Sequence, residues 1–300
     1  MTPNILPDGR ANALGAVWMV SAMALFAVED SFIKAASQTM PVWQILMIFG
    51  LGGALVFACL LLREGLPLFI PEVVSRPMRI RVVFEVSGRL FYVLALALTP
   101  LSSATVILQA TPLVVVAGAA LVFGERVGWR RWTAIFVGMA GVVIIIRPGA
   151  DSFSPLSILA LLGMIGFAGR DLASRAAPAA ISTLMLGLYG FLSMALAGAL
   201  YAAWQPEVAV WPSLRDAALL MGAIFAGTVA YACLMRAMRT GEVSAVTPFR
   251  YTRLIFGIAL GIALFGERLT APMMLGSGLI VASGIFILWR SRKVAEGSDA

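Results

Sequence analysis

Apolar residues run along the chain in blocks of about 20, the length a helix needs to cross a bilayer at roughly 1.5 Å per residue. Gly, Pro, Arg and acidic residues separate the blocks. Reading these windows predicts ten helices, at 12 to 36, 42 to 62, 80 to 98, 102 to 123, 130 to 147, 154 to 174, 180 to 203, 215 to 238, 243 to 265 and 271 to 290. Only the stretch from 63 to 79 has room for more than a turn. There Leu66, Leu68, Phe69, Ile70, Val73 and Val74 mix with Pro67, Pro71 and Pro77, which predicts a short interfacial segment. Polar residues inside the blocks recur at helical spacing. Ser102, Thr105, Gln109 and Pro112 share one face of span four, and Ser244, Thr247, Pro248 and Tyr251 share one face of span nine. Polar groups in a lipid-bounded helix face protein or water. These stripes therefore mark either the lining of a cavity or hydrogen-bonded contacts between packed helices. Pro112 and Pro248 each remove a backbone donor within a span, producing a hinge or a static kink.

Composition agrees with a chain that lives in lipid. Of 300 residues, 61% are hydrophobic and 12% charged, which leaves no stretch for a soluble domain of ordinary size. The net charge of +7 would suit nucleic acid on a soluble surface, but here the basic residues sit between hydrophobic runs, so no nucleic-acid partner is expected. The chain has no histidine, and its two cysteines, Cys59 and Cys233, lie in separate apolar blocks. Histidine proton relays, zinc sites and haem ligation are thereby removed, no disulfide framework exists, and no cofactor is expected. The first block is too long for a signal-peptide core and reads as a retained span. With the N-terminus inside, 15 basic residues fall on the cytoplasmic side and 4 on the other, with Arg81 and Arg170 counted among the cytoplasmic set. That bias predicts both termini in the cytoplasm.

The chain also repeats itself. Phe26 to Ala36 aligns with Phe167 to Ala177 at an offset of 141, with Asp30 facing Asp171 and Lys34 facing Arg175. Phe123-Gly-Glu-Arg126 recurs as Phe265-Gly-Glu-Arg268 at an offset of 142, and Ser102 and Thr105 fall on Ser244 and Thr247. Two halves follow, 1 to 150 and 151 to 300, with five spans each. Five is odd, so the second half enters the membrane from the opposite side. The expected architecture is all-α: ten transmembrane helices arranged as two inverted five-helix repeats.

Two five-span halves, Phe-Gly-Glu-Arg closing the fourth and ninth spans, and the run Gly241-Glu-Val-Ser-Ala-Val-Thr-Pro-Phe-Arg-Tyr-Thr-Arg253 together resemble the drug/metabolite transporter superfamily, EamA type. The resemblance covers nearly the whole chain. It implies a bacterial inner-membrane exporter of amino acids or other metabolites, and the second-half motif is most similar to the amino-acid exporters. The first half departs from the pattern: many relatives carry Trp-Gly or Ser before the Lys of span one, where this chain has Glu29 and Asp30.

The residues suggest where a solute binds. Arg89 and Tyr92 lie three apart on span three; Thr105 and Gln109 lie on the span-four stripe, Thr247 and Tyr251 on that of span nine, and Tyr231 shares a face of span eight with Thr228 and Met235. With Phe26 and Phe167, such side chains suit an amino acid with a large apolar side chain. Glu85 and Arg89, four apart, form either a self-compensating pair or a substrate or proton site. Arg250 and Arg253 either attract a carboxylate or snorkel to the nearer interface. Glu29, Asp30 and Lys34 and their counterparts Arg170, Asp171 and Arg175 are expected near opposite membrane surfaces, so Asp30 and Asp171 join Glu85, Arg250 and Arg253 as gate or coupling candidates. Glu125 with Arg126 and Glu267 with Arg268 read as helix-end contacts. Most of the tryptophans sit near span ends as interfacial anchors.

The expected function is transport of a small molecule across a lipid bilayer: export of amino acids, aromatic or other apolar ones among them, or of related metabolites, by alternating access. Multidrug efflux and sugar-phosphate exchange are the alternatives on the same fold. A membrane-embedded lipid-modifying enzyme is the remote one, since no repeated acidic metal motif and no nucleophile-base pair is present. The sequence does not speak to oligomeric state.

Overall fold

The computed structural model describes residues 9 to 124, 127 to 146, 154 to 240 and 246 to 296. Glu125, Arg126, Arg147 and Ser244 lie outside them. Among the described residues every regular element is helical: α1 (Gly9–Ala36), α2 (Val42–Arg63), α3 (Arg76–Leu98), α4 (Leu101–Leu108), α5 (Thr111–Phe123), α6 (Trp129–Ile146), α7 (Ser157–Arg175), α8 (Thr183–Trp204), α9 (Leu214–Thr240), α10 (Thr252–Phe265) and α11 (Ala271–Glu296). Short 3-10 turns at Pro71–Val74 and Thr247–Tyr251 precede α3 and α10. Eight helical segments among the described residues are long and apolar enough to cross a membrane, with α4 and α5 counted together and the Thr247–Tyr251 turn counted with α10. The chain is a multi-pass membrane protein. α3 carries Arg76, Arg79, Arg81, Glu85 and Arg89, too many charges for a lipid-facing span, yet it is packed against α7 and α8. Arg81, Glu85 and Arg89 face protein, while Arg76 and Arg79 at its start are exposed.

Local chemistry sets the ends. The Ser182 hydroxyl accepts from the Met185 amide at the start of α8. Before α9, Ser213 and Asp216 exchange backbone-to-side-chain bonds of 3.1 Å in a capping box, and Thr39 donates to the other Asp216 oxygen at 2.6 Å, tying the α1–α2 corner to α9. Gly124 and Gly266, repeat-related, adopt left-handed φ of 66° and 63° directly after α5 and α10, where a side chain would be strained. That accounts for the Gly of the repeated tetrapeptide. Span four is broken: Gln109 and Ala110 have ψ near zero, and Pro112 cannot supply the amide that Leu108 O would receive. The Thr111 hydroxyl donates to that carbonyl instead.

Helices pair between the first and second parts of the chain. α1 packs on α9, α3 on α7, α2 on α8, α6 on α11 and α4 on α10. Exchanging the two parts at the offset read in the sequence carries the α1–α9 pair into α7–α3 and leaves the α2–α8 and α6–α11 pairs unchanged. At the α3–α7 crossing the backbones touch, and a Cβ on Gly166 would overlap the Gly88 Cα. The interdigitated core runs through Phe49, Phe57 and Phe191, with ring centroids 5.4 and 5.5 Å apart.

Candidate functional site

A cavity of about 460 Å³ opens between the two parts of the chain, walled by α1, α3, α5, α7, α8, α9 and the start of α10. It lies toward one end of the bundle. The Arg81 guanidinium donates to the Ser174 hydroxyl at 2.9 Å and to Leu186 O at 3.2 Å, and the Tyr231 hydroxyl donates to Thr183 O at 3.0 Å. The starts of α3 and α8 and the ends of α7 and α9 therefore share that end. A larger groove of about 680 Å³ runs along the outside of α6 and α11 between Trp129, Val137, Phe286 and Trp289, but its walls are almost wholly apolar. The central cavity has the convergent polar groups a selective site requires.

Those groups form an ion network around Glu85 and a second cluster at Asp30. The Glu85 carboxylate, 2% exposed, lies 3.2 Å from Arg81, 3.3 Å from Arg89 and 3.4 Å from Arg170. Arg89 also approaches Glu29 at 3.7 Å, and Arg170 pairs with Asp171 at 2.7 Å. Asp30 accepts from Arg253 at 2.6 Å and from the Tyr92 hydroxyl at 2.9 Å. Buried charges persist in such a setting only when paired and hydrogen-bonded. Aromatic faces back the cations. Arg89 and Arg170 lie over the Phe167 ring, at 5.4 and 4.7 Å, and Arg253 lies over Phe26, the repeat counterpart of Phe167, at 5.2 Å.

Of the residues singled out in the sequence, Arg89, Tyr92, Gln109, Tyr231, Tyr251, Glu85, Asp171, Arg250 and Arg253 border the cavity. Gln109 donates to Arg250 O at 3.0 Å across the broken span four. The Tyr251 ring faces the cavity, while its hydroxyl is buried in the space that Gly284 of α11 leaves, with no hydrogen-bond partner among the described residues. Asp30 sits just behind the wall, 2% exposed. Thr105 is fully buried and packs against Gly257 of α10, and Thr247 lies on the 3-10 turn outside the lining. The span-four stripe thus divides, with Ser102 and Thr105 in helix contact and Gln109 and Pro112 at the cavity.

Two placements differ from the sequence reading. Glu29, Asp30, Arg170 and Asp171 meet at the cavity rather than at opposite surfaces. Arg81 and Arg170, counted as cytoplasmic end charges, point inward to Glu85. The missed signal was the row Arg81, Glu85, Arg89 at four-residue intervals on a single helix face. The Glu267 carboxylate, read as a helix-end contact, is one, and the helix end it serves is that of α4. It accepts from the Leu101 amide at 2.6 Å, from the Ser102 amide at 2.9 Å and from the Ser102 hydroxyl. Lys34 donates to Leu96 O and Thr99 O at the end of α3. A cation at the C-terminus of α3 and an anion at the N-terminus of α4 both complement the helix dipoles. Together they clasp the α3–α4 corner, at the end of the bundle away from the cavity.

Several curated proteins resemble the chain. It is 26% identical over 208 residues to an S-adenosylmethionine uptake transporter of Rickettsia bellii, covering 69% of this chain and 70% of that one. A pseudopaline exporter of Pseudomonas aeruginosa is 27% identical over 283 residues, covering 93% and 97%. A riboflavin transporter of Vibrio cholerae is 28% identical over 299 residues, covering 93% and 94%. A solved crystal structure shares the fold at a TM-score of 0.61 and 17% identity, over 95% of this chain and 99% of that one. The profile of the EamA-like transporter family matches twice, over residues 13–147 and 155–289. The chain belongs to the EamA-like transporter family.

Proposed function

We propose that the protein exports amino acids, aromatic or otherwise apolar ones foremost, or related small metabolites, across a bacterial inner membrane by alternating access. Two inverted five-span halves, 1 to 150 and 151 to 300, enclose the solute, and both termini lie in the cytoplasm. The observation that carries this reading is a polar-floored cavity at one end of the bundle with a charged clasp closing the other. Inversion is supported by the repeat-related helices α3 and α9, since the start of the one and the later part of the other share the cavity end, and by the exchange of the α1–α9 and α7–α3 pairs. Arg76, Arg79, Arg175 and Arg236 lie at the cavity end, which the positive-inside rule assigns to the cytoplasm. A solute entering from there passes Tyr231 and meets Tyr92, Gln109 and Phe167 deeper in the cavity. Arg89, Arg253 and Glu85 orient it, with Asp30 holding Arg253 from behind. Thr105, Thr247 and Tyr251 belong to the helices that must move for release, and Asp171 and Arg250 border the path.

The guanidinium cluster favours sugar-phosphate exchange as the second reading. Purified protein in liposomes, tested by counterflow with aromatic amino acids, small amino acids, cationic dyes and sugar phosphates, separates these possibilities. The proposal expects exchange of aromatic amino acids, abolished or strongly slowed by Gln109→Ala and Tyr231→Ala. No amino-acid signal, or unchanged transport in both variants, overturns it.

A further inference from the structure

The charges at the cavity do not present themselves equally. Glu29, Asp30 and Glu85 are 2–3% exposed, whereas Arg89 is 20%, Arg170 22% and Arg253 15% exposed. The carboxylates stand behind the arginines, so an entering solute meets guanidinium edges. Asp171, at 29%, is the exposed acid, and both of its Arg170 contacts occupy one oxygen. Among the described residues five arginines, Arg81, Arg89, Arg170, Arg250 and Arg253, face four carboxylates, Glu29, Asp30, Glu85 and Asp171, an excess of one positive charge.

Donor capacity points the same way. A guanidinium has five N–H groups. Arg89 donates to Glu85 through Nε, and its Nη1 is 3.7 Å from Glu29, beyond hydrogen-bond reach. Arg253 donates to Asp30 through Nη2, while its buried Nε has no acceptor among the described residues. Arg250 makes no ion pair among the described residues within 4.0 Å. Between Arg89 and Arg253 lies an aromatic pair, Phe167 and Tyr92, with ring centroids 5.7 Å apart; Arg89 covers the first ring and Arg253 sits 5.9 Å from the second.

Resting on the transport reading above, we infer that Arg89 and Arg253, with Arg250 beside them, form a subsite for one monoanionic carboxylate whose apolar body lies on Tyr92 and Phe167. A single negative charge neutralises the cluster's excess, whereas a dianionic phosphate overshoots it. A solute without a carboxylate leaves the exposed edges of Arg89 and Arg253 without an acceptor in a low-dielectric site, which is costly. Charge-assisted, bidentate carboxylate binding is what arginine provides and lysine does not.

The test uses the full-length protein in nanodiscs and four probes of similar shape: 3-phenylpropionate, phenylalanine, phenylalaninamide and phenyl phosphate. Ligand-dependent shifts of the thermal midpoint give apparent affinities. The two carboxylates are expected to stabilise the protein and the amide and the phosphate to have little effect. Arg253→Lys, which keeps the charge facing Asp30, and Arg250→Gln, which breaks no ion pair among the described residues, are expected to weaken carboxylate binding about tenfold or more, with the ligand-free midpoint confirming that each variant folds. The inference is overturned if no carboxylate stabilises the wild type, if the amide or the phosphate binds as well, or if both variants bind carboxylate unchanged. Counterflow of the same probes separates the two readings. A carrier that exchanges the amide and ignores acids keeps alternating access and loses this subsite, and a protein that binds acids but moves nothing keeps the subsite and loses the carrier.

Discussion

Glu85 is the residue on which the interior charge depends. One carboxylate serves Arg81, Arg89 and Arg170 at 3.2–3.4 Å while itself 2% exposed. Removing its charge leaves three guanidiniums in low dielectric without their shared counterion. Glu85→Gln is expected to cost about 3–5 kcal/mol of stability, the penalty for breaking a buried pair, measured as a lower thermal midpoint or chemical-denaturation midpoint. A second substitution, Arg81→Gln, should restore part of that loss, because the two residues share one network and their effects do not add. The pairing of Glu85 with Arg89 was legible from their spacing. The part played by Arg81 was not, since position near the start of a span reads as a loop charge until α7 and α8 are seen to pack over it.

Elements are held together by two different devices, and each has its own consequence. At the α3–α7 crossing, Gly88 and Gly166 bring backbones into contact and set Glu85 and Arg89 beside Phe167 and Arg170. Gly166→Ala places a methyl on the Gly88 Cα and is expected to cost about 1–3 kcal/mol by overpacking, with a matching fall in transport. Gly128→Ala, which meets nothing within 4 Å, should be neutral in the same assays. At the α3–α4 corner the bonds are polar. Glu267→Gln keeps the shape but loses the charge at the α4 N-terminus, an effect of about 1–2 kcal/mol in a partly buried site. If this corner closes the outer end, a cysteine at Leu101, fully buried in the closed clasp, will react faster with a membrane-impermeant maleimide in the Glu267→Gln background once Cys59 and Cys233 are replaced. Equal labelling with and without Glu267→Gln would separate the clasp from gating. The repeat drew attention to Phe-Gly-Glu-Arg, but the work of its Glu was hidden because its partners lie about 165 residues away in the chain.

For the whole molecule, the decisive arrangement is the cross-pairing of α1 with α9 and α3 with α7 around a single cavity. The inverted reading expects reporter fusions at both chain ends to mark the cytoplasmic side. Reporters on opposite sides would contradict the span count and the inverted halves together. The eight helical segments long and apolar enough to span leave out α3, whose charges disqualify it on hydropathy, and α11, whose apolar run Ala271–Ile287 is short. Both pack against other helices, α3 on α7 and α11 on α6, so hydropathy alone understates how much of the chain lies in the bundle.

Local and periodic information in the chain was enough to determine a helical membrane protein, its repeat, the ends of most helices and the polar faces of α3, α4 and α9. These follow from hydropathy, helical spacing and the conformational preferences of Gly and Pro, which act over a few residues. The sorting of charges needed tertiary structure. Depth along a helix does not say whether an arginine reaches water or turns inward to a carboxylate on another helix. Only the packing of α3 against α7 and α8 drew Arg81 and Arg170 to Glu85, and only the approach of the segment after α10 turned Glu267 into a cap for α4. Electrostatic energy at such sites depends on distances between residues far apart in sequence and on the exclusion of water, and these exist only once the helices have met.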